Sequence, residues 1–203
     1  MAGTLTVQNL EGPASGSNAN RVIVPSNHEL YAAGHVVQVV QSTLGTTASG
    51  STGSGANTYY ESGLQATITP KSVDSKVLVN YTVHLGSSTY QRKSRIVRRI
   101  ALIDTPVGLG TAEGGRGVAT SVANSFTNYS TNSDYHYSPL NNTYLDDPLN
   151  GQSSVFAVTY KIQVASYNGT SWYLNRSAGF QNQSASGYDA VPLSTLTLME
   201  IAQ

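Results

Sequence analysis

Val77-Leu78-Val79-Asn80-Tyr81-Thr82-Val83-His84-Leu85 decides the fold. Val77, Val79, Tyr81, Val83 and Leu85 fall on one side of an extended chain, and Leu78, Asn80, Thr82 and His84 on the other. Strict alternation over nine residues is the mark of a strand with one face on a core. The same period recurs downstream, where Phe156, Val158, Tyr160, Ile162 and Val164 alternate with Ala157, Thr159, Lys161, Gln163 and Ala165. Leu64, Ala66 and Ile68 repeat it upstream as far as Pro70, and Lys71 to Ser75 reads as a turn. His35 to Val40 is a β-branched run suited to a buried strand, Arg95 to Ile103 forms another, and Leu193 to Ile201 closes the chain. Asn168-Gly169 predicts a type I′ hairpin turn between the strand ending near Ala165 and the return strand Ser171 to Asn175. No segment carries a credible amphipathic helical stripe. Short strands joined by irregular loops predict an all-β, antiparallel β-sandwich, jelly-roll-like in architecture.

Composition agrees. Of 203 residues only 11% are charged, cysteine is absent, and Tyr (13) outnumbers Phe (3) and Trp (1) together. Gly, Ser, Thr and Asn fill the spaces between apolar runs. Such a chain builds strands and polar turns and offers few acids, bases or ligands. Without cysteine it forms neither disulfides nor thiolate metal sites. Formal net charge is zero, so bulk charge implies neither a nucleic-acid partner nor a membrane. No apolar run approaches the ~20 residues that span a bilayer. The N-terminus shows no basic stretch followed by an apolar core, so the expectation is cytoplasmic synthesis without a standard export signal.

Residues 1–34 differ from the remainder. Thr4 to Leu10 and Arg21 to Val24 are short strand candidates, separated by Gly- and Ser-rich sequence and stopped at Pro25. Neither can form a core alone. They read as an extended N-terminal arm that docks on a partner or exchanges with a sister subunit, or as an ordinary edge strand. The division is therefore an arm at 1–34 and a sandwich domain at 35–203. Gly45 to Asn57 reads as a mobile loop. Residues 104–154 show few strong strand signals, so this stretch is either functional or hides short strands.

Several segments carry a family likeness. Gly63 to Pro70 followed by Ser75 to Val79, then Tyr144-Leu145-Asp146-Asp147-Pro148, Val158 to Val164, Trp172 to Ser177 and Leu196 to Ile201 occur in order and at sensible spacing. With the lead-in Pro25 to Gln41, they resemble the C-terminal domain of tailed-phage tail fibre and virion structural proteins of marine and cyanophage type. The resemblance spans roughly residues 25 to 201. It implies a homotrimeric β-sandwich displayed on a virion assembled in the host cytoplasm. The function expected is a short trimeric tail fibre or fibre tip, held by its N-terminal arm to a tail adaptor, baseplate or capsid protein and binding a host surface glycan. The alternatives are a capsid decoration protein or head fibre and, in a separate class, a polysaccharide depolymerase.

Candidate sites follow from clusters of residue type. Arg92, Lys93, Arg95, Arg98 and Arg99 concentrate basic charge in one stretch. Arg92, Lys93, Arg95 and Arg99 read as a basic patch for phosphate or acidic glycan, or as strand arginines paired with carboxylates. Arg98 shares a face with Ile96 and Ile100, so it needs a buried partner. Glu200, in phase with Leu196 and Leu198, is the expected one. Tyr129, Tyr135, Tyr137 and Tyr144 stand among Asn and Ser, the composition of adaptable recognition loops and also of an ordinary trimer surface. His28, His35, His84 and His136 show no metal-ligand spacing, and Asp134-Tyr135-His136 alone is weak, so no metal or cofactor is expected. Asp146 and Asp147 are adjacent and point to opposite faces of a strand, which does not suit an acid–base pair across one glycosidic bond. No catalytic residue is assigned, and the chain is expected not to be an enzyme.

Overall fold

The computed structural model describes residues 11–17, 19, 21–24, 26, 32–51, 58–87, 91–124, 137–166, 171–179 and 190–203. These form eleven strands and no helix. In chain order they are β1 (Val36–Leu44), β2 (Ala48–Ser51), β3 (Tyr60–Ile68), β4 (Lys76–Ser87), β5 (Gln91–Ile100) and β6 (Ile103–Val107). Then come β7 (Ser121–Asn124), β8 (Tyr137–Asp146), β9 (Val158–Ser166), β10 (Ser171–Leu174) and β11 (Ser194–Ile201).

They assemble into two antiparallel sheets. In the first, β4 pairs along its length with β8, while its other edge meets β11 and then β10. β1 and β2 continue outward from β11 and β10. In the second, the order is β3, β9, β5, with β6 and β7 sharing the far edge of β5. Each sheet is thus four positions wide. Counting β1/β2, β6/β7 and β10/β11 as interrupted single strands gives orders 1-8-3-6 and 2-7-4-5, the arrangement of a jelly roll. The core lies between the sheets. Val77, Val79, Tyr81, Val83 and Leu85 of β4 meet Ile96 of β5 and Val158, Tyr160, Ile162 and Val164 of β9.

The sandwich has two ends. At one, here called the root, residues 32–35 join β1 and are tied to the last strand, since Gly34 N donates to Ala202 O and Ala202 N to His35 O. The same end holds the start of β4, the β5–β6 turn, the end of β8 and the start of β9. At the other, the crown, lie the flanks of β4–β5, β7–β8 and β9–β10. Register places Gly86 beside Tyr137, Ser87 beside Trp172, and Arg92 beside Ser166 and Ala123.

The structure revises or resolves several sequence expectations. The strand expected from Arg95 to Ile103 is broken by a two-residue turn at Ala101-Leu102, both at positive φ (46° and 71°). That is the type I′ geometry, met here without the usual Asn or Gly. Asn168-Gly169 does not close a hairpin ladder, because β9 belongs to one sheet and β10 to the other. The dipeptide itself lies outside the described residues. Within Gly45 to Asn57, residues 48–51 form β2 on β10. Gly50 permits this pairing: a Cβ there would come within 2.7 Å of Trp172 Cζ2. Residues 104–154 do contain strands, the longest being β8. Residues 21–24 are exposed and form no strand, and Thr4 to Leu10 lies outside the described residues.

Candidate functional site

The basic stretch on β5 does not make one patch. Alternation sends Arg92, Ser94, Ile96 and Arg98 inward, and Lys93, Arg95, Val97 and Arg99 outward. Arg92 lies in the core at the crown, 1% exposed, with its Nη1 donating to Ser138 Oγ at 3.0 Å. Its burial lowers the guanidinium pKa. Of the outward β5 cations, Lys93 is itself buried at 7% exposed, which lowers its pKa, while Arg95, Arg99 and the neighbouring Lys161 of β9 are engaged within the chain. Arg95 Nε donates to Gln163 Oε1 at 2.8 Å, and its guanidinium stacks 4.2 Å from the Tyr59 ring centroid. Arg99 clamps Asp104 with Nε to Oδ1 at 2.6 Å and Nη2 to Oδ2 at 2.7 Å. Lys161 donates to Asp104 and to Glu61. Hydrogen bonds from Arg99 and then Lys161 hold Asp104 down at a pKa of about 2. The outer face of the β5 sheet is therefore a network of paired charge rather than an open cationic surface.

Arg98 does face inward, but its partner is Asp146, not Glu200. Nη1 lies 3.0 Å from Oδ1 and 3.1 Å from Oδ2 of Asp146, and Tyr160 Oη donates to Oδ2 at 2.7 Å. Glu200 instead accepts from Lys71 N and Gln38 Nε2, each at 2.6 Å. The reason is register. Glu200, Val77 and Asp146 form one inward row across β11, β4 and β8. Two strand spacings, about 9–10 Å, separate the carboxylates, and β5 lies opposite the β8 side.

Of the tyrosines, Tyr129 and Tyr135 fall outside the described residues, as do Asp134 and His136. Tyr137 and Tyr144 are on β8 but on opposite faces. Tyr137 meets His84 edge-on, with centroids 6.2 Å apart. Tyr144 turns inward and packs against the core, close over Gly108. These two cannot form one aromatic platform.

What the sequence does not flag is the root. Leu102 is 85% exposed and Ile103 70% exposed at the tip of the β5–β6 turn. Beside the tip lies a cleft of about 490 Å³ lined by Arg98, Ile100, Ile103, Asp147 and Pro148, among others. Val155 and Phe156, in the β8–β9 connection, are also exposed at this end. So are Val36, Val39 and Leu145. Val39 and Leu145 stand at the two ends of one outward row, Val39–Met199–Leu78–Leu145, that crosses the first sheet. The rows nearer the crown are polar. Gln41 bonds Thr197 and Asn80 bonds Thr143, with Thr43, Thr195, Thr82 and Asn141 beyond them. Among the described residues no group of three His, Asp or Glu side chains comes together to hold a metal. No described helix is long and apolar enough to cross a membrane.

No protein-family model and no curated protein matches the chain. Among solved structures it is similar to the VP2 subviral particle of infectious bursal disease virus, at 12% identity and a TM-score of 0.34. That alignment covers 94% of this chain and 46% of the other. It is also similar to the Gx strain of the same virus, at 9% identity and a TM-score of 0.30, covering 82% and 43%. The chain spans less than half the length of these structures. Likeness at this level carries no argument about function.

Proposed function

We propose that this chain is a bacteriophage virion structural protein: a short trimeric tail fibre or fibre tip. It is seated by its root and residues 1–34 on a neighbouring virion protein, and its crown faces a host surface ligand, a glycan by class. The observation that carries the reading is the larger cluster of exposed apolar side chains at the root, set against Val122 and Leu193 exposed toward the crown. Leu102, Ile103, Val155, Phe156, Val36, Val39 and Leu145 are exposed at the root. The Thr, Asn and Gln rows follow, and the strand ends that flank the Tyr- and Asn-rich segment 125–136 lie at the crown. Clustered exposed hydrophobics mark a surface covered by another chain. Two residues held in the left-handed region at the apolar tip add strain of the kind found at functional contacts. The ordered family likeness and the jelly-roll topology support the same reading by analogy.

A second reading, a capsid decoration protein or head fibre, shares the root contact and differs in the chain beneath it. One observation favours it: of these tyrosines only Tyr137 is described at the crown, Tyr144 lying inward near the root end of β8, so the described ones offer no joint aromatic platform for a sugar. Complementation of a phage lacking this gene separates the two. Leu102→Asp/Ile103→Asp yields particles without the protein if the root is the seat, and normal incorporation refutes the seat. Replacing residues 125–136 by a Gly-Ser linker leaves incorporation intact under both readings. It abolishes host adsorption under the fibre reading alone.

A further inference from the structure

The two outer faces of the sandwich differ in kind. On the β5 sheet the outward side chains include Arg99, Asp104, Lys161 and Glu61, joined in ion pairs. On the β4 sheet three successive outward rows cross four strands without one charged side chain. Named by their ends on β1 and β8, they are Val39–Leu145, Gln41–Thr143 and Thr43–Asn141. Charge returns at the margins, with Lys76 at the root and Arg176 at the crown.

The first row is apolar from edge to edge. Val39 is 57% exposed and Leu145 47%, with Met199 and Leu78 half-buried between them. The next row is polar but internally bonded. Gln41 Nε2 donates to Thr197 Oγ1 at 3.0 Å, and Asn80 Nδ2 to Thr143 Oγ1 at 2.6 Å. Groups paired in this way lose little when another chain covers them. Carboxamides and hydroxyls both donate and accept, so a copy of the same face can meet the groups that remain. An apolar band with charge kept to the rim is the composition of a subunit contact.

Area and charge favour a second copy as the occupant. Four strands about 4.8 Å apart and nine residues long present roughly 600 Å². Two such faces reach about 1,200 Å², the lower bound for a stable interface. Formal net charge is zero, so copies approach without long-range repulsion.

We propose that the outer face of the β4 sheet is the contact surface between copies of this chain, packed with their roots at the same end. The orientation follows from the asymmetry of the face. A rotation axis along the strands sets the Val39–Leu145 row against its own equivalent, whereas an inverted copy sets it against the Thr43–Asn141 row. Leu102 and Ile103 belong to the other sheet and stay open to a neighbouring virion protein. The inference names the surface behind the multimeric part of the proposed function. It is tested on the isolated protein, so its failure is distinct from failure of the seat on the virion.

The test is sedimentation equilibrium of the full-length protein over about 1–100 µM. The expected result is a multimer whose dissociation constant rises about 100-fold or more in Val39→Glu/Leu145→Glu, because like charges then face each other. Gln65→Glu, on the exposed outer face of β3, should leave it unchanged. Met199 supplies a second readout on wild type, because it stands in the apolar row: peroxide should oxidise it more slowly as concentration rises, relative to free methionine in the same tube. If the double variant does not fold, Met199 decides. A wild-type monomer at the highest concentration overturns the proposal and leaves the face to a different chain. So does a multimer that ignores the two glutamates, or one in which Met199 reacts at the same rate at every concentration.

Discussion

Arg98 and Asp146 tie one sheet of the sandwich to the other. The guanidinium rises from β5 and the carboxylate from the edge strand β8, with Tyr160 of β9 completing the carboxylate's bonds. Asp146 is almost fully buried, and Arg98 keeps about a fifth of its side chain in solvent (22%). Removing the cation leaves a buried carboxylate without its counter-charge. Arg98→Met is therefore expected to cost about 2–3 kcal/mol, the low end for a buried pair because of the residual exposure. Asp146→Asn should cost a similar amount. The double variant should lose less than the sum by about 1 kcal/mol or more. Urea unfolding of the four proteins checks this, and strictly additive losses contradict the pairing.

Asp104 gives the fold a defined acid dependence. Its folded pKa is about 2 against an ordinary 3.8. The stability it contributes is complete above the ordinary value and is lost as pH falls from 3.8 through about 2. Wild type should therefore be more stable than Asp104→Asn at pH 6, and the gap should narrow over that window. Because Asp104 and Arg99 are partly exposed, 1 M salt should also narrow the gap at pH 6. Unfolding curves at several pH values measure it, and a gap constant from pH 6 to pH 2 contradicts the assignment.

Gly50 and Trp172 make the closest approach in the β2–β10 pair. A methyl group at residue 50 meets the indole at 2.7 Å from Cζ2, and the ring is held in the core near Tyr60. Gly50→Ala is expected to destabilise by about 1–3 kcal/mol through overpacking. The chain has a single tryptophan, so its emission reports this contact directly. A red shift at unchanged overall fold is expected, and unchanged emission and stability contradict the packing.

The β5–β6 turn holds Ala101 and Leu102 at positive φ. An L-residue in that region costs roughly 1–2 kcal/mol, which Asn-Gly relieves. Ala101→Asn/Leu102→Gly should stabilise the isolated chain by about 1–2 kcal/mol while removing Leu102 from the root. Thermal unfolding checks the first effect. A neutral or destabilising result contradicts the strain.

Much of the sandwich can be read in the sequence, because β4, β9 and β11 each bury every second residue and most of those positions are apolar. β8 escapes that reading for a physical reason. Its inward positions are Ser138, Leu140, Asn142, Tyr144 and Asp146, and three of these bond across the sandwich, to Arg92, to Thr120 O and to Arg98. An edge strand whose polar residues are satisfied by the opposite sheet shows no apolar period. The turn at Ala101-Leu102 is illegible because neither residue has a turn preference. The direction of Arg98 is legible from alternation. Its partner is not, because the choice between Asp146 and Glu200 depends on which strands flank β4. Arg92 reads as part of a surface patch until its phase relative to Ile96 is set beside its burial.

The proposed function turns on polarity, a seated root and a free crown. A cryo-electron-microscopy reconstruction of the virion that carries this chain tests it most directly. The account predicts density of a neighbouring chain against Leu102, Ile103 and Phe156, with the strand ends at Ser87, Tyr137 and Ser166 facing outward. A particle in which the root faces solvent and the crown is buried against the virion would contradict it.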